Sequence, residues 1–201
     1  IPILIKNGYR VIALARKQSQ SRLPPGCKAV EGNALDESTF KEYVDGCDTF
    51  IQLVGVSHPS PAKKEEFIKI DLSSMTASVN AAKYADVKHF VYLSVAQPAP
   101  MMKEYIEVRK RGENLLEENK IPASVIRPWY IIGPGHYWPV VLTPIYKILE
   151  LIPATREQAI NLGLVKLEEM LNIILFAVKN PPVEGLKIYG TKNIRNKHLK
   201  Q

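Results

Sequence analysis

The sequence is poor in what disulfide scaffolds, membrane spans and metal centres are built from. Its 201 residues include only two cysteines, Cys27 and Cys47, too few for a disulfide framework and without the CxxC or Cys/His spacing of a metal site. No apolar run reaches the ~20 residues of a membrane helix, because Lys, Glu or Pro interrupts every candidate. No signal peptide is recognisable at the start, so a reducing cytoplasm is the expected compartment. A P-loop and a Gly-x-Ser-x-Gly elbow are also missing. What remains is ordinary globular material, 46% hydrophobic and 23% charged, enough for one domain with a sizeable core or two small ones.

The net charge of +7 is unevenly placed. Lys192, Arg195, Lys197 and Lys200 supply four of the seven within the last ten residues, where no acid occurs. The remaining +3 is too thin for a nucleic-acid footprint. The basic tail is expected to be a frayed, solvated end. Adjacent acids such as Glu65-Glu66, Glu117-Glu118 and Glu168-Glu169 fit solvated helix faces.

Short apolar stretches alternate with helical ones along the chain. Ile1 to Lys6 is the end of a helix stopped at Asn7-Gly8. Strands are predicted over 10–15, 28–30, 49–54, 89–94 and from 124, where Pro128 ends the run. They are apolar throughout, as strands covered on both faces are. Between them, Asp36 caps a helix over 37–44. Ile68, Leu72, Met75, Val79 and Ala82 give helical spacing to 64–84, and a further helix covers 103–118. From Trp138 the pattern changes to an apolar helix over 139–151, an amphipathic one over 167–178 and a last strand near 185–189. Strands alternating with helices at this pitch predict βαβ units on a parallel sheet.

Three segments carry a family likeness: Asn7-Gly8-Tyr9-Arg10-Val11, Gly32-Asn33-Ala34-Leu35-Asp36, and Ile126-Arg127-Pro128 with Gly133-Pro134-Gly135. In order and separation the chain resembles the extended and atypical short-chain dehydrogenase/reductases, on the side of the nucleotide-sugar epimerase-like and NAD(P)H-binding proteins. The resemblance implies an α/β fold, a doubly wound, mostly parallel Rossmann-type sheet with a small C-terminal lobe. It divides the chain into a dinucleotide-binding part over 1–135 and a substrate-side lobe with the tail over 136–201. The family's opening strand and Gly-rich turn would precede Ile1, so the phosphate cradle is expected to lie outside these residues. That strand is central in the family's sheet order, and its loss is expected to leave a gap between strands.

The same resemblance points to site residues. Arg16 and Lys17 stand where the family contacts the adenosine ribose, and two cations there suit the 2′-phosphate of NADP, with NAD as the other possibility. A basic solvent-exposed turn is the alternative for this pair. Asn33 and Ala34 match the turn that brackets the adenine, although an Asn also serves turns on its own account. Leu53, Val54 and Gly55 close a strand where backbone and cofactor approach each other. Gly55 permits that approach because it has no side chain. Ser94 and Pro128 end the two following strands.

Tyr105 and Arg109 have the spacing of the family's proton-relaying Tyr and its Lys partner, which lowers the phenol's pKa and holds a ribose. The lysine position is an arginine here, and Ala96 occupies the place of the family's Ser or Thr. A helix-surface Tyr beside a basic face remains the alternative. Trp129, Tyr130, His136, Tyr137 and Trp138 crowd into ten positions without a cation. As the lining of a substrate pocket they suit a planar or apolar small molecule; as structural residues they would fasten the lobe to the sheet. His58 follows Gly55 closely, and a lone loop histidine is more often a surface residue than an acid or base. The expected activity is that of an NADP(H)-dependent oxidoreductase or epimerase-like enzyme on a small organic substrate. A non-catalytic dinucleotide sensor or accessory protein, and a chain that binds no cofactor, are the competing expectations. No metal, nucleic acid or membrane partner is expected.

Overall fold

A computed structural model describes residues 1–99, 101–135 and 137–196. A short helix α1 (Pro2–Lys6) ends on Asn7, and Gly8 beyond it takes the left-handed φ of +84° that suits glycine after a helix. Strands β1 (Val11–Ala15) and β2 (Cys27–Glu31) then pair in parallel, Ala13 opposite Ala29. The main sheet runs in the order β3 (Thr49–Gln52), β4 (His89–Leu93), β5 (Ala123–Arg127), β8 (Leu186–Gly190), all parallel. The β1–β2 pair and this four-stranded sheet share no ladder.

Helices cover both faces, which is why the strands are apolar without alternation. Phe90 and Tyr92 of β4 and Val125 of β5 turn to one side. There they meet Met75, Val79 and Ala82 of α3 (Ser73–Tyr84) and Leu116 of α4 (Lys103–Glu118). Val91 and Ile126, one residue out of phase, face Met170, Ile173 and Ala177 of α7 (Leu167–Lys179). The approach of α4 to β4 requires Gly112, because a Cβ there would lie 2.6 Å from the Tyr92 hydroxyl.

Local chemistry departs from the simplest sequence pattern in several places. The helix expected over 37–44 is two 3₁₀ turns, Glu37–Thr39 and Lys41–Val44. Asp36 does cap the first, its carboxylate accepting the Ser38 amide at 3.0 Å. The helix over 64–84 opens with α2 (Lys64–Glu66) and passes through a π-helical stretch, Phe67–Leu72, before α3. Strands β6 (Tyr130–Ile132) and β7 (Leu164–Lys166), with helix α6 (Pro153–Asn161), were not expected; β6 and β7 form a third, two-stranded parallel sheet. The apolar run from Pro139 splits into a 3₁₀ turn (Trp138–Leu142) and α5 (Thr143–Leu151). The tail expected to be solvated starts folded: Thr191–Ile194 forms α8, and Arg195 donates to the Leu164 carbonyl at 2.7 Å. A cation expected in solvent is drawn in because its guanidinium finds that carbonyl and lies 3.5 Å from Glu150. Residues 197–201 lie outside the described residues. Among the described residues no helix is long and apolar enough to cross a membrane, and no group of His, Cys, Asp or Glu could hold a metal.

Within the sheet, His89 is 2% exposed, its Nε2 2.9 Å from the Ser124 hydroxyl and its Nδ1 3.3 Å from that of Thr49. Burial pushes its pKa down from 6.5 to about 4. The folded state therefore favours the neutral ring. Its stabilising share is complete above the ordinary histidine pKa and is lost as the pH falls from 6.5 toward 4. That loss amounts to ~3 kcal/mol once both states are protonated. Urea unfolding of wild type and His89→Gln between pH 7 and 4 tests it. The difference between the two proteins should shrink on acidification, and a constant difference would refute the assignment.

Candidate functional site

Because the strands of the four-stranded sheet are parallel, their carboxyl ends share one rim, where ligands bind in open α/β sheets, and β1 and β2 likewise end side by side. Arg16 and Lys17 follow directly on β1, exposed and in no ion pair among the described residues. Beyond β2, Asn33 is tied into its own turn, its side-chain carbonyl accepting the Leu35 amide at 3.1 Å, while Thr39 receives the Asn33 amide at 2.9 Å. Ala34 is half-buried in the same turn. Leu35 in the turn after β2 and Leu53 and Val54 just past β3 are 41%, 51% and 38% exposed.

The space beside Gly55 is filled from within. A Cβ at Gly55 would lie 2.0 Å from Arg109 Nη2 and 3.0 Å from Asp71 Oδ1. Arg109 rises from α4, reaches Asp71 at 2.6 Å and donates from Nη1 to the carbonyl of Leu93, the last residue of β4, at 2.8 Å. The two side chains are 5% and 0% exposed. Asp71 also accepts the Val56 amide at 3.0 Å. The main contact is one of charge more than of directed hydrogen bonding, since neither Asp71 Oδ1 nor Arg109 Nε has a hydrogen-bond partner among the described residues. Burial raises the Asp71 carboxyl above its ordinary value, against the pull of Arg109 and the Val56 amide. Asp71 carried no signal in the sequence beyond its place inside an amphipathic helix.

Tyr105 lies one turn before Arg109 on α4, so the two share a face. Its ring packs against Phe67, centroids 5.0 Å apart, with the Arg109 guanidinium 5.2 Å from its centroid. Burial raises the phenol's pKa, and Arg109 lowers it without reversing that. The expected pair is thus brought together at the ends of β3 and β4, but the guanidinium is already bound to Asp71 and Leu93. His58 is an exposed loop residue whose Nδ1 lies 2.9 Å from the Ser57 hydroxyl.

Ser94, at the end of β4, belongs to a second buried cluster. Its hydroxyl donates to Glu113 Oε1 at 2.5 Å, and that oxygen also receives Gln97 Nε2 at 3.1 Å and Arg127 Nε at 3.0 Å. Arg127 Nη2 pairs with the other Glu113 oxygen. Ala96 and Pro128 are buried and bonded to each other, amide to carbonyl, at 2.9 Å. They carry the β4–β5 pairing to the rim.

Trp129 and Tyr130 stand edge to face with centroids 5.7 Å apart. They form one wall of a cavity of about 350 Å³ that is also lined by Leu142 at the end of the 3₁₀ turn, Tyr146 and Leu149 of α5, and Leu162 just beyond α6. Tyr137 is 61% exposed and not part of the lining. His136 and the Trp138 side chain lie outside what the structure describes. The contribution of α5 was readable only as an apolar helix over 139–151, and that of α6 was not readable at all. A second, small cavity of about 90 Å³ lies between the start of α7 and α8, bordered mainly by polar residues such as Glu169, Asn172 and Arg195.

Residues 1–137 match the NAD(P)H-binding family profile. No curated protein matches the sequence. Among solved structures, the Bordetella bronchiseptica enzyme WbmH in complex with NAD+ aligns with a TM-score of 0.66 at 16% identity, over 94% of this chain and 69% of that one. UDP-glucuronic acid 4-epimerase from Bacillus cereus in complex with NAD aligns at 0.67 and 14% identity, over 94% and 72%. A nucleoside-diphosphate-sugar epimerase from Staphylococcus aureus aligns at 0.65 and 15%, over 94% and 64%. At such identities the likeness is one of fold, a Rossmann-type α/β architecture.

Proposed function

The chain belongs to the NAD(P)H-binding family, and from that premise we propose that it is a reductase-type or epimerase-like enzyme that prefers NADP(H) and acts on a small organic substrate. The observation that carries this reading is the position of Tyr105 and Arg109 on one face of α4, at the carboxyl ends of β3 and β4. Arg16 and Lys17 would hold the 2′-phosphate, Arg16 by a bidentate fork. Leu53 and Val54 would flank the nucleotide, and Pro128 with Ser94 would bound its nicotinamide end. The bound cofactor supplies hydride transfer. Tyr105 passes a proton to or from the substrate oxygen. Arg109, held by Asp71 and Leu93, fixes the ring of Tyr105 and biases its phenol without leaving the interior. Its engagement with Asp71 also favours a second reading, a dinucleotide sensor without turnover, because no free cation remains there to grip a ribose.

Titration of the purified protein with NADPH and NADH tests the cofactor. Arg16→Ala/Lys17→Ala should weaken NADPH by roughly tenfold or more, the value of one charge-assisted bond, and leave NADH nearly unchanged. Equal losses would remove the NADP preference. In turnover of NADPH with aldehydes and ketones, Tyr105→Phe should cost about a hundredfold, as loss of a general acid does. Unaltered turnover would strip Tyr105 of its role, and binding without turnover would select the sensor.

A further inference from the structure

The cavity behind Trp129 has a chemistry that its surroundings do not share. None of its eleven lining residues carries a charge at neutral pH. Trp129, Tyr130 and Tyr146 give it an aromatic corner, and Leu142, Leu149 and Leu162 an aliphatic back. The Thr155 hydroxyl on its wall is already spent on the Leu149 carbonyl at 2.8 Å. Arg195, the cation felt by Tyr146, donates to the Leu164 carbonyl and pairs with Glu150 at 3.5 Å. A pyrophosphate carries two negative charges and must exchange its hydration for cations or aligned backbone amides. Such partners are not provided in this lining.

We propose that this cavity binds an uncharged, ring-bearing and largely apolar molecule, and not a nucleotide-linked sugar. Its role as substrate rests on the oxidoreductase reading above; the binding itself does not. At about 350 Å³ the space lies at the low end of the roughly 300–1,000 Å³ typical of small-molecule pockets. The aromatic corner offers faces and edges for a ring. The Tyr146 phenol and the Gln158 amide supply the few polar groups that fix orientation. The Tyr146 phenol, already bonded to the Trp129 side chain, keeps its own O–H as a donor to a ligand oxygen. The cavity also continues outward. Ile145 belongs to its lining yet is 55% exposed; with Ile148 (60% exposed) further along α5, and Val141 (74%) and Ile152 (45%) just outside the two ends of that helix, it makes a row of exposed apolar side chains. An apolar substituent too long for the cavity would lie along this row.

The test uses N-phenyl-1-naphthylamine, a neutral two-ring probe whose emission rises in apolar surroundings. Purified protein should bind it saturably, with quenching of tryptophan emission, and UDP-glucose at millimolar concentration should not displace it. Ile145→Glu and Leu142→Glu each set a charge on the wall at a position outside the buried core. Each should weaken the probe about tenfold or more while leaving the thermal midpoint and NADPH affinity near wild type. Displacement by UDP-glucose, indifference of the probe to both charges, or a dimer in sedimentation that buries the α5 row would overturn the proposal. NADPH is titrated in the same samples. Loss of NADPH binding with the probe retained would sink the cofactor reading alone, and the reverse pattern would sink the cavity alone.

Discussion

Asp71→Ala should cost ~3–5 kcal/mol of stability, the range seen when one member of a buried ion pair is removed. Both partners are out of water, with side-chain exposures of 0% and 5%. The guanidinium left behind cannot neutralise itself, because arginine does not deprotonate in proteins. The Val56 amide, 3.0 Å from Asp71 Oδ2, would lose its acceptor as well. Water has little room to enter, since Gly55 packs its backbone against the pair closely enough that a Cβ would meet Arg109 Nη2 at 2.0 Å. Replacing both members by apolar residues of similar volume, Asp71→Leu with Arg109→Met, should recover most of the loss, because the desolvation of two charges disappears with them. Urea unfolding at pH 7 distinguishes the cases. A single variant within 1 kcal/mol of wild type, on the order of an ordinary surface change, would mean that the pair is open to solvent.

The contrast between this pair and its sequence signal shows where reading a chain stops. The strands of the main sheet were legible because each is sandwiched between helices and so is apolar in sequence; β4 and β5, from His89 and Ala123, differ by a residue or less from expectation. Helix α4 was legible at both ends, and with it the shared face of Tyr105 and Arg109. The short strands β6 and β7 were not, since three residues fall short of the roughly four to eight over which alternation can be read. Buried charge is harder still. Asp71 and Arg109 are 38 positions apart, and each alone reads as the polar face of its helix. Pairing turns both inward, and only tertiary structure supplies the pairing. Arg109 was nominated as the partner of a phenol, and its position confirms proximity to Tyr105 while adding a commitment to Asp71 that spacing could not reveal. The aromatic cluster after Pro128 divides in a similar way: Trp129 and Tyr130 line the cavity, whereas Tyr137 is exposed and not part of the lining.

A second buried carboxylate should prove nearly as costly to remove. Glu113, 3% exposed, joins three elements at once: α4, which carries it, the end of β4 through Ser94, and the end of β5 through Arg127. Its Oε1 is shared by three donors, and Gln97 in the following loop is the third. Glu113→Ala would strand a guanidinium that is 21% exposed and a hydroxyl that has no water to turn to. The expected loss is ~3 kcal/mol, the lower end for a broken buried pair because Arg127 reaches solvent in part. Glu113→Gln keeps the shape and one acceptor oxygen but gives up the charge facing Arg127, so it should fall between the two. The loosened ends of β4 and β5 bound the rim where NADPH is proposed to sit, so its affinity should weaken in both variants in the same order as stability. Unfolding curves and NADPH titrations on one set of samples check this. If Glu113→Ala keeps wild-type stability, the cluster is not a structural tie; if it unfolds early yet binds NADPH normally, the tie does not reach the cofactor rim.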